Sequence, residues 1–270
     1  MLPKEEAELV SRHIRQHGFD LHLSTSLKEI RGDESGNVKE VVTDKGDVIE
    51  CQYVGLTAGV HPNIELVNNS PVETNRGIMV DEFLQTNIPG VYAIGDCAEL
   101  RHPRPGRRSI EPVWYVGKMM GEVVAENIIE GEKAYDPGIW FNSAKFLDIE
   151  YHVYGDVPNL PREDLSSLYW EHPDGCKSIR INYDTNTKAV KGFNVMGIRY
   201  RHSVCDKWIK TGTPVEEVLE NLSLANFDPE FYPEHESPLR ELYENQTGIS
   251  LSGKAKRNWD SVFNWLKKNK

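Results

Sequence analysis

The sequence predicts an α/β region followed by an α+β region. Three observations predict it. A helix, a strand and an antiparallel meander fill the first 56 residues. A short apolar run ending in Gly-Asp leads into a helical stretch near the middle. A β-rich stretch is then followed by helices.

The elements follow in order. Residues 4–17 form the first helix, because Leu9, Val10 and Ile14 recur at the 3.6-residue period and Gly18 stops it. Phe19, Leu21 and Leu23 alternate with polar neighbours, the pattern of a strand. Two turn sequences, Glu34-Ser35-Gly36-Asn37 and Asp44-Lys45-Gly46-Asp47, separate β-type runs at 38–42 and 48–56. Residues 91–94 are apolar between Pro89-Gly90 and Gly95-Asp96, which predicts a buried strand between turns. Over 112–129, Val113, Val116, Met120, Val123, Val124 and Ile128 lie mostly on one helical face, and Gly131 closes it. Further β-type runs occupy 146–154, 167–171, 179–183 and 190–196, the last two joined as a hairpin by Asp184-Thr185-Asn186-Thr187. Thr213-Pro214-Val215-Glu216 reads as a capping-box helix start. A final helix carries Trp259, Val262, Phe263 and Leu266 on one stripe. The polar, turn-rich residues 131–138 mark the seam between the two regions.

The length, 270 residues, fits about two domains. With 39% hydrophobic and 27% charged residues the chain can bury a core, which excludes wholesale disorder. No run of 18 apolar residues occurs, so no transmembrane helix and no membrane partner are expected. Lys4, Glu5, Glu6, Glu8, Arg12 and Arg15 leave no apolar signal stretch at the start. The net charge of −11 argues against a general nucleic-acid binder, which needs surplus cations. Cys51, Cys97, Cys176 and Cys205 form no C-x-x-C pair and no close Cys/His cluster. Neither a metal site nor a local redox disulfide is expected, and a reducing, cytoplasmic compartment is.

The informative stretch is residues 86–96, TNIPGVYAIGD. A strand ending in Gly95-Asp96 puts a close-approach residue and a carboxylate acceptor at its carboxyl end, where open α/β sheets bind ligands. An ordinary strand and turn fits the same residues.

This stretch resembles the second flavin motif of the FAD-dependent pyridine nucleotide-disulfide oxidoreductase superfamily: Thr, four residues, apolar, Tyr, Ala, apolar, Gly, Asp. Residues 53–63, YVGLTAGVHPN, resemble the segment that joins the family's two nucleotide-binding domains. EPVWYVGKMMGEVVAENIIEG resembles the family helix whose amino end points at the flavin. The branch of NADH oxidases, rubredoxin reductases and nitrite reductases fits best in outline.

The resemblance implies roles. Asp96 would accept hydrogen bonds from the FAD ribitol hydroxyls and Gly95 would allow close approach. Amides near Val113, Trp114 and Tyr115 would face the flavin pyrimidine, with core packing as the alternative for the two aromatic residues. Thr57, Ala58 and Gly59 would lie near NAD(P), or form a plain loop. No catalytic residue is assigned: His61-Pro62 and Glu65 sit inside the joining segment, and Cys97 reads as a small buried thiol. Arg101, Arg104, Arg107 and Arg108 form a basic loop, either solvated or a docking patch for an acidic redox partner or an anionic substrate.

The departure is as informative. The family has two G-x-G-x-x-G fingerprints, for the FAD pyrophosphate and for NAD(P); this chain has no G-x-G at all. The reading is therefore an incomplete nucleotide-binding region, the β-meander and the flavin-motif strand and helix, followed by a carboxyl-terminal interface domain. Residues 1–60 would be the second half of an NAD(P)-binding domain and 61–131 the carboxyl-terminal part of an FAD-binding domain. Residues 139–235 would be a dimerisation domain and 236–270 a helical tail. The complete enzyme would pass hydride from NAD(P)H to FAD and electrons to a redox protein or small-molecule acceptor; the isolated chain is expected to lack both cofactors. The alternative is a non-catalytic dimerisation or interaction module that keeps remnants of the fold. A homodimer is expected in either case.

Overall fold

The computed structural model describes residues 2–231 and 233–251. The stripe of Trp259, Val262, Phe263 and Leu266 lies outside the described residues.

Helix α1 spans Lys4–Gln16 and buries Glu6, Leu9, Val10 and His13, positions three and four apart on one face. The strand expected over 19–23 does not form. Phe19 and Leu23 are exposed and the first strand, β1, begins later, at Leu27–Gly32. It pairs with β2 (Val38–Thr43), which pairs with β3 (Val48–Glu50), and the two predicted turns join them. This meander is largely solvated: β1 is exposed along its whole length, and Val42 and Thr43 are the buried residues of β2.

Strands β4 (Ile78–Val80) and β5 (Ala98–Leu100) form a parallel pair, covered by helix α2 (Trp114–Ile129). Val80, Leu84, Ala98, Val116, Met120, Val123 and Val124 make their shared core. Residues 91–94 are not the expected buried strand. Tyr92 makes a single antiparallel bridge to Gln85, and Val91 and Ile94 are about two-fifths exposed.

The third part is a five-stranded antiparallel sheet in the order β6-β7-β10-β9-β8, with β6 Phe141–Phe146, β7 Ile149–Gly155, β8 Leu165–Glu171, β9 Ser178–Asp184 and β10 Val190–Met196. The run expected over 146–154 is split by a turn at Leu147, which adopts a left-handed φ of 59°, and β6 precedes it. Alternation along the strands divides the side chains between two faces. Ile179, Ile181, Phe193 and Val195 face helices α3 (His202–Thr211), α4 (Val215–Glu220) and α5 (Glu236–Thr247). Arg180, Asn194 and Met196 face α1.

α1 therefore packs on this sheet rather than on the meander that follows it in sequence. Arg180 on β9 donates to Glu6 (2.6 and 2.9 Å), Glu5 (2.7 Å) and Ser167 (2.6 Å), while Leu9 and Val10 pack with Ile149 and Met196.

The capping box before α4 is not made. The Thr213 hydroxyl shares a hydrogen bond with Thr211 (2.8 Å), Glu216 accepts from the Tyr243 hydroxyl, and the Val215 amide donates to the Lys188 carbonyl (2.9 Å). Partners on α3 and α5 take the groups that the box would use, and the Thr213 amide donates to the Trp208 carbonyl (3.0 Å). The seam at 131–138 is tied down too. Asn127 holds Lys133 through both its main-chain groups, and Tyr135 is buried with its amide on the Glu82 carbonyl.

Candidate functional site

The Gly95-Asp96 turn is a single 3-10 turn, Gly95–Cys97, that enters β5 directly. Gly95 has φ +74°, and an added Cβ would meet nothing within 4 Å. The backbone conformation, not lack of room, calls for glycine there. The first turn of α2 rests on this turn: a Cβ on Gly117 would lie 3.4 Å from the Gly95 Cα, and one on Gly121 3.7 Å from the Ile94 side chain. Two glycines one helical turn apart let the helix lie against the turn.

No side chain caps α2; its N-cap, Val113, is extended. A helix leaves its first amides without intrahelical acceptors and carries partial positive charge at that end. The amides of Trp114, Tyr115 and Val116 are thus set for an anionic or carbonyl acceptor beside Gly95. Val113, expected to share that role, does not: its amide donates to the Glu111 carbonyl at 2.8 Å.

Trp114 is 72% exposed, so it is not core. Tyr115 is half-buried; its hydroxyl meets Ser143 at 2.9 Å and its ring lies 5.1 Å from Phe141, which ties the helix start to β6. Asp96 is exposed, and among the described residues its carboxylate carries no hydrogen bond or ion pair.

Sequence reasoning missed Glu99, the next-but-two residue after Asp96 and 4% exposed. Its carboxylate accepts from the amides of Arg76 and Gly77 (both 2.9 Å), from Asn75 (3.2 Å) and from Ser109 (3.3 Å). Burial pushes its pKa up, but these amides outweigh that and hold it below the ordinary carboxylate range. Gly77 has no room for a side chain, since a Cβ would come within 2.7 Å of the Cys97 carbonyl. Glu99 and Gly77 together lock the 75–77 turn to the strand that Gly95–Cys97 enters. Two signals were available, a Gly three residues before the parallel strand's end and a Glu on an apolar strand, but their pairing is tertiary.

The arginine loop is largely solvated, as expected, but three of its four arginines are engaged within the chain and the Arg107 side chain is buried. Arg107 is buried against Glu111, with Nε to Oε1 at 2.7 Å, and also donates to the carbonyls of Pro137 (3.1 Å) and Gly138 (3.0 Å) and lies over the Trp140 ring. Arg101 pairs with Glu73 (2.5 Å) and Arg104 with Asp136 (2.9 Å). Arg108 remains exposed. Cys97 is not a buried thiol: it is partly exposed, and its Sγ donates to the Asn63 carbonyl at 3.3 Å.

That contact brings residues 60–63 beside the Gly95–Cys97 turn. An open cavity of about 620 Å³ lies there, lined by Val60, His61 and Pro62 on one side and Arg76, Arg108 and Pro112 on the other. Thr57, Ala58 and Gly59 precede this lining in an irregular, exposed stretch and do not contribute to it; Gly59 has φ +98°. Around them Tyr53, Leu56, Val60 and Leu66 are 85, 73, 81 and 94% exposed.

The Gly95-Asp96 turn thus lies under an uncapped helix at the amino end of β5, not at the carboxyl end of a strand as expected from the sequence, because residues 91–94 form no strand and the chain enters β5 only after the turn. Residues 1–121 match the family described as pyridine nucleotide-disulphide oxidoreductase, and this part of the chain belongs to that superfamily. It is 35% identical over 150 residues to the NAD(P)H coenzyme A polysulfide/persulfide reductase of Pyrococcus horikoshii, covering 54% of this chain and 33% of that protein. It is 35% identical over 191 residues to the NAD(P)H sulfur oxidoreductase (CoA-dependent) of Pyrococcus furiosus, covering 70% of this chain and 38% of that protein. The chain spans about a third of the length of these curated relatives. Among solved structures, the fold resembles a NAD-dependent persulfide reductase from A. fulgidus. The TM-score is 0.74 at 24% identity, over 92% of this chain and 49% of that one.

Proposed function

We propose that this chain is the carboxyl-terminal portion of an FAD-dependent NAD(P)H oxidoreductase. The observation that carries the reading is the placement of the Gly95-Asp96 turn beneath the uncapped amino end of α2. When bound, FAD would take hydride from NAD(P)H and pass electrons to a redox protein or small-molecule acceptor. Asp96 would accept from the ribitol hydroxyls, Gly95 would leave room for them, and the amides of Trp114 to Val116 would favour negative charge at the pyrimidine end. Thr57, Ala58 and Gly59 would flank the NAD(P) side.

The chain supplies one end of such a site. It has no G-x-G sequence to cradle a pyrophosphate, and the bare apolar side chains of Tyr53, Leu56, Val60 and Leu66 fit a surface that another part of the protein covers. Among the described residues no helix is long and apolar enough to cross a membrane. The free thiols support a reducing, cytoplasmic setting.

Purified alone, the 270-residue chain is expected to be colourless. A stoichiometric flavin band in its visible spectrum would overturn the partial-site reading. Flavin fluorescence titration should then detect weak FAD binding that Asp96→Ala weakens about tenfold or more, the worth of about 1.5–3 kcal/mol for a hydrogen bond to a charged group. Equal affinity of the two proteins would refute the role of Asp96.

A further inference from the structure

His13 in the last turn of α1 and His17 at its C-cap stand one turn apart, and the turn between β6 and β7 brings Asp148 against both. We propose that these three side chains form a transition-metal site, fitted to Zn²⁺, that clips the carboxyl end of α1 to the β6–β7 hairpin. The site is independent of the flavin reading.

The geometry is that of a set of donors awaiting an ion. One ligand atom from each residue lies within 4.8 Å of the other two. Asp148 Oδ1 is hydrogen-bonded to His13 Nε2 and lies 3.8 Å from His17 Nε2. A tetrahedral zinc with bonds of about 2.0–2.1 Å holds its ligand atoms about 3.4 Å apart. Asp148 is 71% and His17 41% exposed, so small side-chain rotations reach that spacing, while His13, 3% exposed, is fixed by its packing. Two imidazoles and one carboxylate make three protein ligands and leave a position for water.

The surroundings orient the rings. The His17 Nδ1–H can donate to the His13 carbonyl at 2.9 Å, which turns the lone pair of Nε2 toward Asp148. On His13, Nδ1 faces away from the cluster, 3.9 Å from the Cys176 Sγ. That sulfur sits behind the ring as an outer contact and not as a fourth ligand. His13 is seated beside Leu9 and Val10, which pack on Ile149 and Met196 of the sheet.

The position gives the ion a task. At its amino end α1 is held by Glu5 and Glu6 on Arg180. Toward its carboxyl end Arg12 pairs with Glu171 of β8 and His13 with Asp148, and a shared ion would replace the His13–Asp148 hydrogen bond by three coordinate bonds. Sequence spacing shows only the His-x-x-x-His pair; the third ligand is 135 residues away from His13, so no local Cys/His cluster betrays it.

The test uses the untagged 270-residue chain, stripped with a chelator and titrated with Co²⁺ and with Zn²⁺. Expected are one ion per chain at micromolar concentration, visible Co²⁺ bands of four-coordinate intensity, and a rise in Tm with Zn²⁺. His17→Gln and Asp148→Asn, both at exposed positions, should keep the wild-type circular dichroism, weaken uptake at least tenfold and abolish the Tm shift. Absence of stoichiometric uptake by the wild-type chain would leave the cluster as a His–Asp hydrogen bond only and overturn the proposal. So would uptake that both variants retain.

Discussion

Glu99 ties the Gly95–Cys97 turn to pH at the scale of a single residue. Its carboxylate is buried, yet two backbone amides, Asn75 and Ser109 keep its pKa below the ordinary value of 4.5. A carboxyl group whose folded pKa is lowered contributes stability that is fully present above its unfolded pKa and is lost as pH falls through the folded one. Glu99→Gln removes the charge and keeps the shape, so it should cost about 1.5–3 kcal/mol at pH 7, the range for hydrogen bonds to charged groups. Its stability should also fall less steeply than that of the wild type below pH 4.5. Urea unfolding at pH 7 and through the acid range checks both; parallel curves at all pH values would remove Glu99 from this role. The residue also marks a limit of reading the sequence. The Gly95-Asp96 turn is legible because Gly-Asp closes a recognisable pattern in consecutive residues. Glu99 is not, because its partners come from the 75–77 turn, more than 20 residues back. Arg107 failed for the same reason: four arginines in eight residues look like a solvated patch until Glu111 and the carbonyls of Pro137 and Gly138 are seen around one of them.

Among elements, α1 was legible as a helix and illegible as a neighbour. Its period gives the buried face, Glu6, Leu9, Val10 and His13, but a buried Glu in that face is unexpected until Arg180 is placed opposite. The alternation of β9 was equally readable, and it sends Arg180 to the opposite side from Ile179 and Ile181. Glu6 is fully buried and Arg180 nearly so. Breaking such a pair by removing one partner leaves an uncompensated charge and costs about 3–5 kcal/mol, whereas an apolar pair of similar volume is close to neutral. Arg180→Met should therefore destabilise the chain by about that much, and Glu6→Leu with Arg180→Met should recover most of it. A double-mutant cycle by chemical denaturation measures the coupling. Additive losses would mean that the Glu6–Arg180 pair does not couple α1 to β9. The failed capping box before α4 follows from similar competition. Local chemistry favours Thr213 and Glu216 as a reciprocal cap, but Thr211 and Tyr243 reach them first.

For the whole molecule, we propose a two-fold homodimer formed through residues 139–235. Both broad faces of the five-stranded sheet are covered, one by α3 to α5 and the other by α1, so a second copy has to use an edge or the helical side. The helical side offers apolar surface: Phe227 is 54%, Phe231 77% and Leu224 43% exposed, within eight residues of one another. Each large apolar side chain moved from water into a contact contributes about 1.5–3 kcal/mol. Two-fold symmetry doubles every such contact, because the same patch appears on both subunits. Charge adds to the expectation, since residues 254–270 carry +5 against about −16 for the rest of the chain. Opposite charge would favour contact of residues 254–270 with the acidic remainder of the same or the other subunit. Sedimentation equilibrium over micromolar concentrations should give twice the monomer mass of 30.8 kDa. Phe227→Ser with Phe231→Ser should shift the equilibrium toward monomer by at least tenfold, and deletion of residues 254–270 should weaken it less and in a salt-dependent way. A mass of 30.8 kDa throughout would reject the dimer. A dimer unmoved by the paired Phe substitution but lost on deleting the tail would transfer the contact to the tail and away from residues 139–235.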